Sequence, residues 1–144
     1  MIRKVVLCAV DDSPRAAPVL QAAMRLADCL PATLHVYRAV AIPIDIPAAA
    51  ANPPSLIGAH VRARTALDLS TLVGGRPDVV IEEPEISAAP PWQLILQCAE
   101  RLQATLIVIG SHGYGGVDRL LGTTAAKLVN HARCNVLVAR SPVL

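Results

Sequence analysis

Gly110, Gly113, Gly115, Gly116 and Gly122, interleaved with Ser111 and followed by Thr123 and Thr124, are the residues of this 144-residue chain whose types and spacing suit chemistry. They follow the apolar run from Leu106 to Ile109 and lead into a helical pattern that begins near Thr123. A buried strand that empties into glycines, with hydroxyl residues at a helix start, brings backbone N–H groups and a helix N-terminus to one place. Chains hold anions in this way, and a phosphate is the first ligand to consider. Glycines that only shape a surface loop fit the same spacing, since single glycine patterns match often by chance.

Other reactive side chains are scattered. His112 lies among the glycines, but no nucleophile or carboxylate stands beside it in sequence, so general-base catalysis is not read from it. His35, His60 and His131 lack metal-ligand spacing and default to structural or solvent-facing roles. Asp11 ends an apolar run, where a carboxylate either caps the next helix or faces a ligand; Asp12 reads as a cap or surface charge and Ser13 as an N-cap. Asp118 and Arg119 read as a solvated pair near a helix start. Lys127 follows Gly122, Thr123 and Thr124 in the wrong order for a P-loop. Cys8, Cys29, Cys98 and Cys134 form no ligand set and read as small buried apolar residues in a reducing compartment.

Composition narrows the class. Apolar residues make up 53% of the chain and aromatics only 2%, with no Phe, so the core must be built from Ala, Val, Leu and Ile. That supply favours buried parallel strands with Ala-rich helices against them, in one domain spanning residues 1–144. A net charge of +2 without a Lys/Arg cluster argues against nucleic acid as a partner. The apolar run at the N-terminus stops at Asp11 and Asp12, too soon for a secretory signal, and no charge-free stretch is long enough for a spanning helix. A cytoplasmic location with no membrane partner is expected.

Elements alternate along the chain. The run Lys4 to Val10 predicts a strand buried on both faces. Ser13 as N-cap and Pro14 at the first helical position then open a helix whose inward face is Ala16, Leu20, Ala23, Met24, Ala27 and Leu30, with Pro31 as its stop. Thr33 to Ala39 predicts the second strand, and the proline-rich stretch from Ala41 to Pro54 a mobile loop. Ser55 to Val73 predicts a helix with an apolar stripe of Leu56, Ala59, Ala63, Ala66 and Leu67, closed by Gly74 and Gly75. Asp78 to Glu83 predicts a third strand, at a sheet edge because its end is charged. Pro90 and Pro91 start a helix that buries Ile95, Cys98, Ala99 and Leu102, with Trp92 as a core residue at its start. Thr105 to Ile109, Thr123 to Ala132 and Asn135 to Ala139 predict the fourth strand, the last helix and the fifth strand. This alternation implies an open, doubly wound parallel sheet with helices on both faces, a Rossmann-like α/β fold. Ligands bind such sheets beyond the carboxyl ends of the strands where strand order reverses, so Asp11 and Gly110 would flank one crevice.

With Ala9-Val10-Asp11-Asp12-Ser13 at the first strand end, Leu34-His35-Val36 in the second strand, the glycine stretch, and Val136 to Arg140 at the close, the chain resembles the universal stress protein family over essentially its whole length. The resemblance implies a five-stranded parallel sheet of order 3-2-1-4-5, of the adenine nucleotide alpha hydrolase-like type, and a homodimer formed through the last strand, Asn135 to Ala139. It also implies a regulatory protein of the stress response, not an enzyme, with slow ATP hydrolysis at most. The family's ATP-binding members share a pattern of Gly, two residues, Gly, nine residues, then Gly and Ser or Thr; here Tyr114 to Leu121 supply only eight between Gly113 and Gly122.

By that resemblance the cofactor is ATP, accompanied by Mg²⁺, held between the carboxyl ends of the first and fourth strands. Ala9, Val10 and Asp11 would line the adenosine pocket, and Val36 would contact adenine through its backbone. Ile109, Gly110 and Gly113 would approach ribose and phosphates, and Gly122, Thr123 and Thr124 would hold phosphate oxygens. The alternative is a dimeric interaction module of the same fold that no longer binds nucleotide.

Overall fold

In the computed structural model, which describes residues 3–41, 56–111 and 122–140, the main sheet has five parallel strands. The elements run β1 (Lys4–Ala9), α1 (Ala16–Cys29), β2 (Ala32–Tyr37), β3 (Ala39–Ala41), α2 (Leu56–Val73), β4 (Val79–Ile81), β5 (Glu85–Ser87), α3 (Pro91–Leu102), β6 (Leu106–Gly110), α4 (Thr123–His131) and β7 (Asn135–Ala139). Sheet order is β4-β2-β1-β6-β7, the 3-2-1-4-5 arrangement of the five main strands, with β4 at one edge as its charged end required. β1 is central, pairing Val6 with Leu34 of β2 on one side and with Leu106 of β6 on the other.

Because successive side chains of a strand point to opposite faces, β1 divides the core in two. Val6, Cys8 and Val10 join Val19, Leu20 and Ala23 of α1 and Leu69 and Val73 of α2. Leu7 and Ala9 join Leu94, Ile95 and Cys98 of α3 and Ala125 and Leu128 of α4. Full burial of each such Leu, Ile or Val is worth about 1.5–3 kcal/mol, which an aromatic-poor chain accumulates from many small contributions.

Several expectations are revised. α1 begins at Ala16 rather than Pro14, with Arg15 at the N-cap position. Ser13 instead closes a turn just upstream: its Oγ accepts from the Arg15 N–H (3.2 Å) and its carbonyl from the Ala16 N–H (3.1 Å). Leu30 is exposed, because the helix has already ended at Cys29. The α2 stripe is rotated. Gly58, Thr65, Leu69 and Val73 are buried, Ala59 and Ala63 are exposed, and Leu67 is 67% exposed. Alanines carry little burial energy, so Leu69 and Val73 set the phase. Gly74 and Gly75 do close this helix, both at positive φ (68° and 79°) that side-chain-bearing residues rarely adopt.

A second sheet pairs β3 with β5 (Ala39↔Glu85, Val40↔Ile86), so Ala41 lies in a strand and not in the expected loop; residues 42–55 are outside the described set. Trp92 is only half-buried, its ring stacked on His131 at 5.1 Å with Lys127 Nζ 5.6 Å from its centroid. Among the described residues no helix is long and apolar enough to cross a membrane.

The cysteines divide by environment. Cys29 is exposed, contrary to expectation, Cys134 is intermediate, and Cys8 and Cys98 are buried. Burial pushes the Cys8 thiol from an ordinary 9.0 up to about 12, and the Cys98 thiol up to about 11. The folded chain therefore holds these protons more tightly than the unfolded chain. This part of the stability is complete below pH 9.0 and is lost as pH climbs toward about 12. A thiol-directed alkylating reagent at neutral pH is expected to label Cys29 in the native protein and to reach Cys8 and Cys98 only in denaturant. Native labelling of Cys8 at the rate of Cys29 would contradict this packing.

Candidate functional site

Beyond the carboxyl ends of β2, β1 and β6 the structure has a cavity of about 870 Å³. It stands where strand order reverses, since β1 is followed spatially by β2 on one side and by β6 on the other. Ala9, Val10 and Asp11 line it from β1, Ile109 and Gly110 from β6, and Thr124 from α4. These expected site residues are thus gathered in one place, across about a hundred residues of sequence.

Asp11 is organised by its own turn. Its Oδ1 accepts from the Ser13 N–H (2.9 Å) and from the Ser13 Oγ–H (2.6 Å), fixing the carboxylate at the mouth of β1. Across the cavity, α4 starts at Thr123 with Gly122 as N-cap, and among the described residues no side chain caps its first turn. Such a helix start offers N–H groups and the positive end of the helix dipole to an anion. Between them, Ser111 is tied to β7 by its N–H to the Ala139 carbonyl (3.1 Å). Gly110 packs so closely on α1 that an added Cβ would lie 2.9 Å from Val19 Cγ2.

Not every expected residue lines the cavity. Val36 is fully buried in the α1-side core and does not line the cavity; its carbonyl accepts from the Glu82 N–H (2.9 Å). Gly122 and Thr123 are adjacent to the cavity through Thr124 but do not line it. His112, Gly113, Asp118 and Arg119 lie outside the described residues.

The β2 side of the cavity holds groups that sequence reasoning passed over. Arg38 is 7% exposed; its Nη2–H donates to the Asp11 carbonyl (2.9 Å), and Nη1 stands 3.5 Å from Asp68 Oδ2. Its Nε is buried and has no hydrogen-bond partner among the described residues. His60, Arg64 and Asp68 line the same wall from α2. A signal existed for them: spacing of four residues puts all three on one helix face. Arg38, alone among apolar residues from Val36 to Val40, was the other available clue.

Among the described residues no group of three or more His, Cys, Asp or Glu side chains is placed to hold a metal ion. His35, expected to be structural or solvent-facing, is tied to protein: its Nδ1 lies 2.7 Å from Glu82 Oε1, joining β2 to the segment after β4.

Comparison with known proteins agrees with this architecture. Residues 2–140 match the sequence profile of the universal stress protein family. The chain is 30% identical over 145 residues to universal stress protein A homolog 1 of Coxiella burnetii, covering 93% of this chain and 94% of that one. Among solved structures, it is similar to universal stress protein UspA from Lactobacillus plantarum (TM-score 0.68, 26% identity, 97% and 100% of the two chains covered). It shares its fold with the universal stress protein from Archaeoglobus fulgidus in complex with dAMP (TM-score 0.63, 19% identity, 96% and 98% covered).

Proposed function

Because this chain belongs to the universal stress protein family, we propose that it is a regulatory protein of the stress response that binds an adenine nucleotide, ATP, in the crevice between β1 and β6. The phosphates sit at Gly110 and the start of α4, and the nucleoside extends past Asp11 toward β2. One observation carries the reading: a cavity at the switch point of the sheet ends on a helix start that, among the described residues, no side chain caps. Such a place suits phosphate. The complex of the Archaeoglobus fulgidus relative with dAMP supports an adenine nucleotide on this fold.

Mg²⁺ accompanies the phosphates and is held by them and by water, the usual mode for this ion. The nucleotide acts by stabilising one state of the protein, since a ligand shifts only those states it contacts differently. That state is a homodimer built on β7, the strand at the sheet edge beyond β6. No catalytic residue is assigned.

A second reading is favoured by one sequence fact, the eight residues between Gly113 and Gly122 where the ATP-binding pattern has nine. A loop too short to reach phosphate leaves an interaction module of the same fold. The two separate on freshly purified protein. Denaturation is expected to release adenine nucleotide, calorimetry of the stripped protein to show heat on adding ATP, and sedimentation equilibrium to give a dimer mass. No released nucleotide and no heat at high ATP would leave the interaction module standing.

A further inference from the structure

We propose that Arg15 binds the ligand's phosphates from the α1 wall of the crevice, opposite the start of α4; the inference rests on the nucleotide reading above. Helical register sets where Arg15 stands. Its backbone is already helical (φ −78°, ψ −11°), and its carbonyl accepts from the Val19 N–H (3.3 Å), so the two residues share one face of α1, one turn apart. Val19 is the residue that presses on the end of β6: a Cβ on Gly110 would lie 2.9 Å from its Cγ2. α1 runs from the crevice back over the sheet, with Arg15, Ala16 and Val19 on the cavity and Leu20 and Ala23 in the core behind them. Arg15 therefore stands about 6 Å farther out along the helix axis than Val19, beyond the strand end where the phosphates are placed. Helical Cα–Cβ bonds lean toward the N-terminus, which carries its side chain farther the same way.

Charge points to the same residue. α1 and α4 lie on opposite faces of the sheet, so the cavity at Gly110 is bracketed by Thr124 on one side and Arg15 on the other. The start of α4 supplies about half an elementary charge, less than a nucleotide's phosphates carry. Among the described lining residues the other arginines are Arg38 and Arg64. Arg38 is buried and already holds the Asp11 carbonyl and Asp68. Arg64 belongs to α2, which packs on α1, β4 and β5, toward the sheet edge away from β6. Arg15 is exposed, and its guanidinium has no hydrogen-bond or ion-pair partner among the described residues. Its fork of N–H donors suits phosphate oxygens.

The test is calorimetry of nucleotide-stripped protein with ATP and with adenosine, at low and high salt, on wild type, Arg15→Gln and Arg15→Lys. The side chain is exposed and the turn uses only the Arg15 backbone, so both variants are expected to keep the parent's Tm. Arg15→Gln is expected to lose about tenfold or more in affinity for ATP and nothing for adenosine, and its ATP affinity to respond less to salt than the parent's. Arg15→Lys keeps a point charge and is expected to recover most of the loss. Equal ATP affinity in Arg15→Gln and wild type would overturn the assignment even though ATP binds. An equal loss for adenosine would overturn it too, by moving the effect off the phosphates. So would an Arg15→Lys as weak as Arg15→Gln, which would remove charge as the cause. If wild type binds neither ATP nor adenosine, the nucleotide reading itself falls and takes this inference with it.

Discussion

Replacing Gly110 with alanine is expected to lower the stability of the folded chain by about 1–3 kcal/mol, read as a fall of several degrees in Tm. The new Cβ would stand 2.9 Å from Val19 Cγ2, where carbon atoms pack at about 3.5–4.0 Å. Val19 has little room to yield. It is 4% exposed, and its branched Cβ leaves it few rotamers on a helix. Either the side chain leaves its well or α1 moves off the sheet. The double variant Gly110→Ala with Val19→Ala removes the clash, so its loss should be smaller than the sum of the two single losses. A Gly110→Ala protein as stable as its parent would show that α1 does not press on β6 as described. Both Gly110 and Val19 line the cavity, so nucleotide affinity should fall with the same substitution.

Asp11→Asn is expected to weaken ATP binding about 10- to 100-fold while leaving Tm nearly unchanged. The amide oxygen can still accept from Ser13 N–H and Oγ–H, as Asp11 Oδ1 does at 2.9 and 2.6 Å, so the turn into α1 survives. On the proposed binding mode, what disappears is the charge-assisted acceptor for a ribose hydroxyl, roughly twice as strong as a neutral one. Asp11→Ala should lose the same affinity and in addition about 0.5–2 kcal/mol of stability, because the Ser13 donors lose their acceptor. Calorimetry and thermal melts on the two variants separate these effects. If both bind ATP as tightly as wild type, Asp11 is only a turn-former and the ligand does not reach the mouth of β1.

The fold was legible in the sequence wherever a segment carried its own pattern. The continuous apolar runs of β1 and β6 and the bounds of β7, Asn135–Ala139, needed no partner to be recognised. Pro90 and Pro91 marked the start of α3, and Gly74 and Gly75 the end of α2, through backbone preferences that act locally. The three-residue strands β3 and β5 carried no pattern, since each is a strand only because the other pairs with it. α2 was recognised as a helix but not in its orientation: an alanine-rich surface leaves several phases nearly equal in burial energy, and the packing of Leu69 and Val73 against the sheet chose one. That phase puts the exposed side chains of His60, Arg64 and Asp68 on the wall of the cavity.

The glycines and threonines from Gly110 to Thr124, and the carboxylate of Asp11, are chemical types that the sequence by itself placed at strand ends and a helix start. Residue type and local backbone preference suffice for that. Only the tertiary structure decided that Arg38 lines the cavity on its β2 side and that Val36 does not. Val36 points into the core because alternation along β2 is fixed by its pairing with β1 and β4, whereas Arg38 stands beyond the last paired residue and is held by Asp11 and Asp68. Those partners are 27 and 30 residues from it in the chain, a distance that folding closes and no local pattern records.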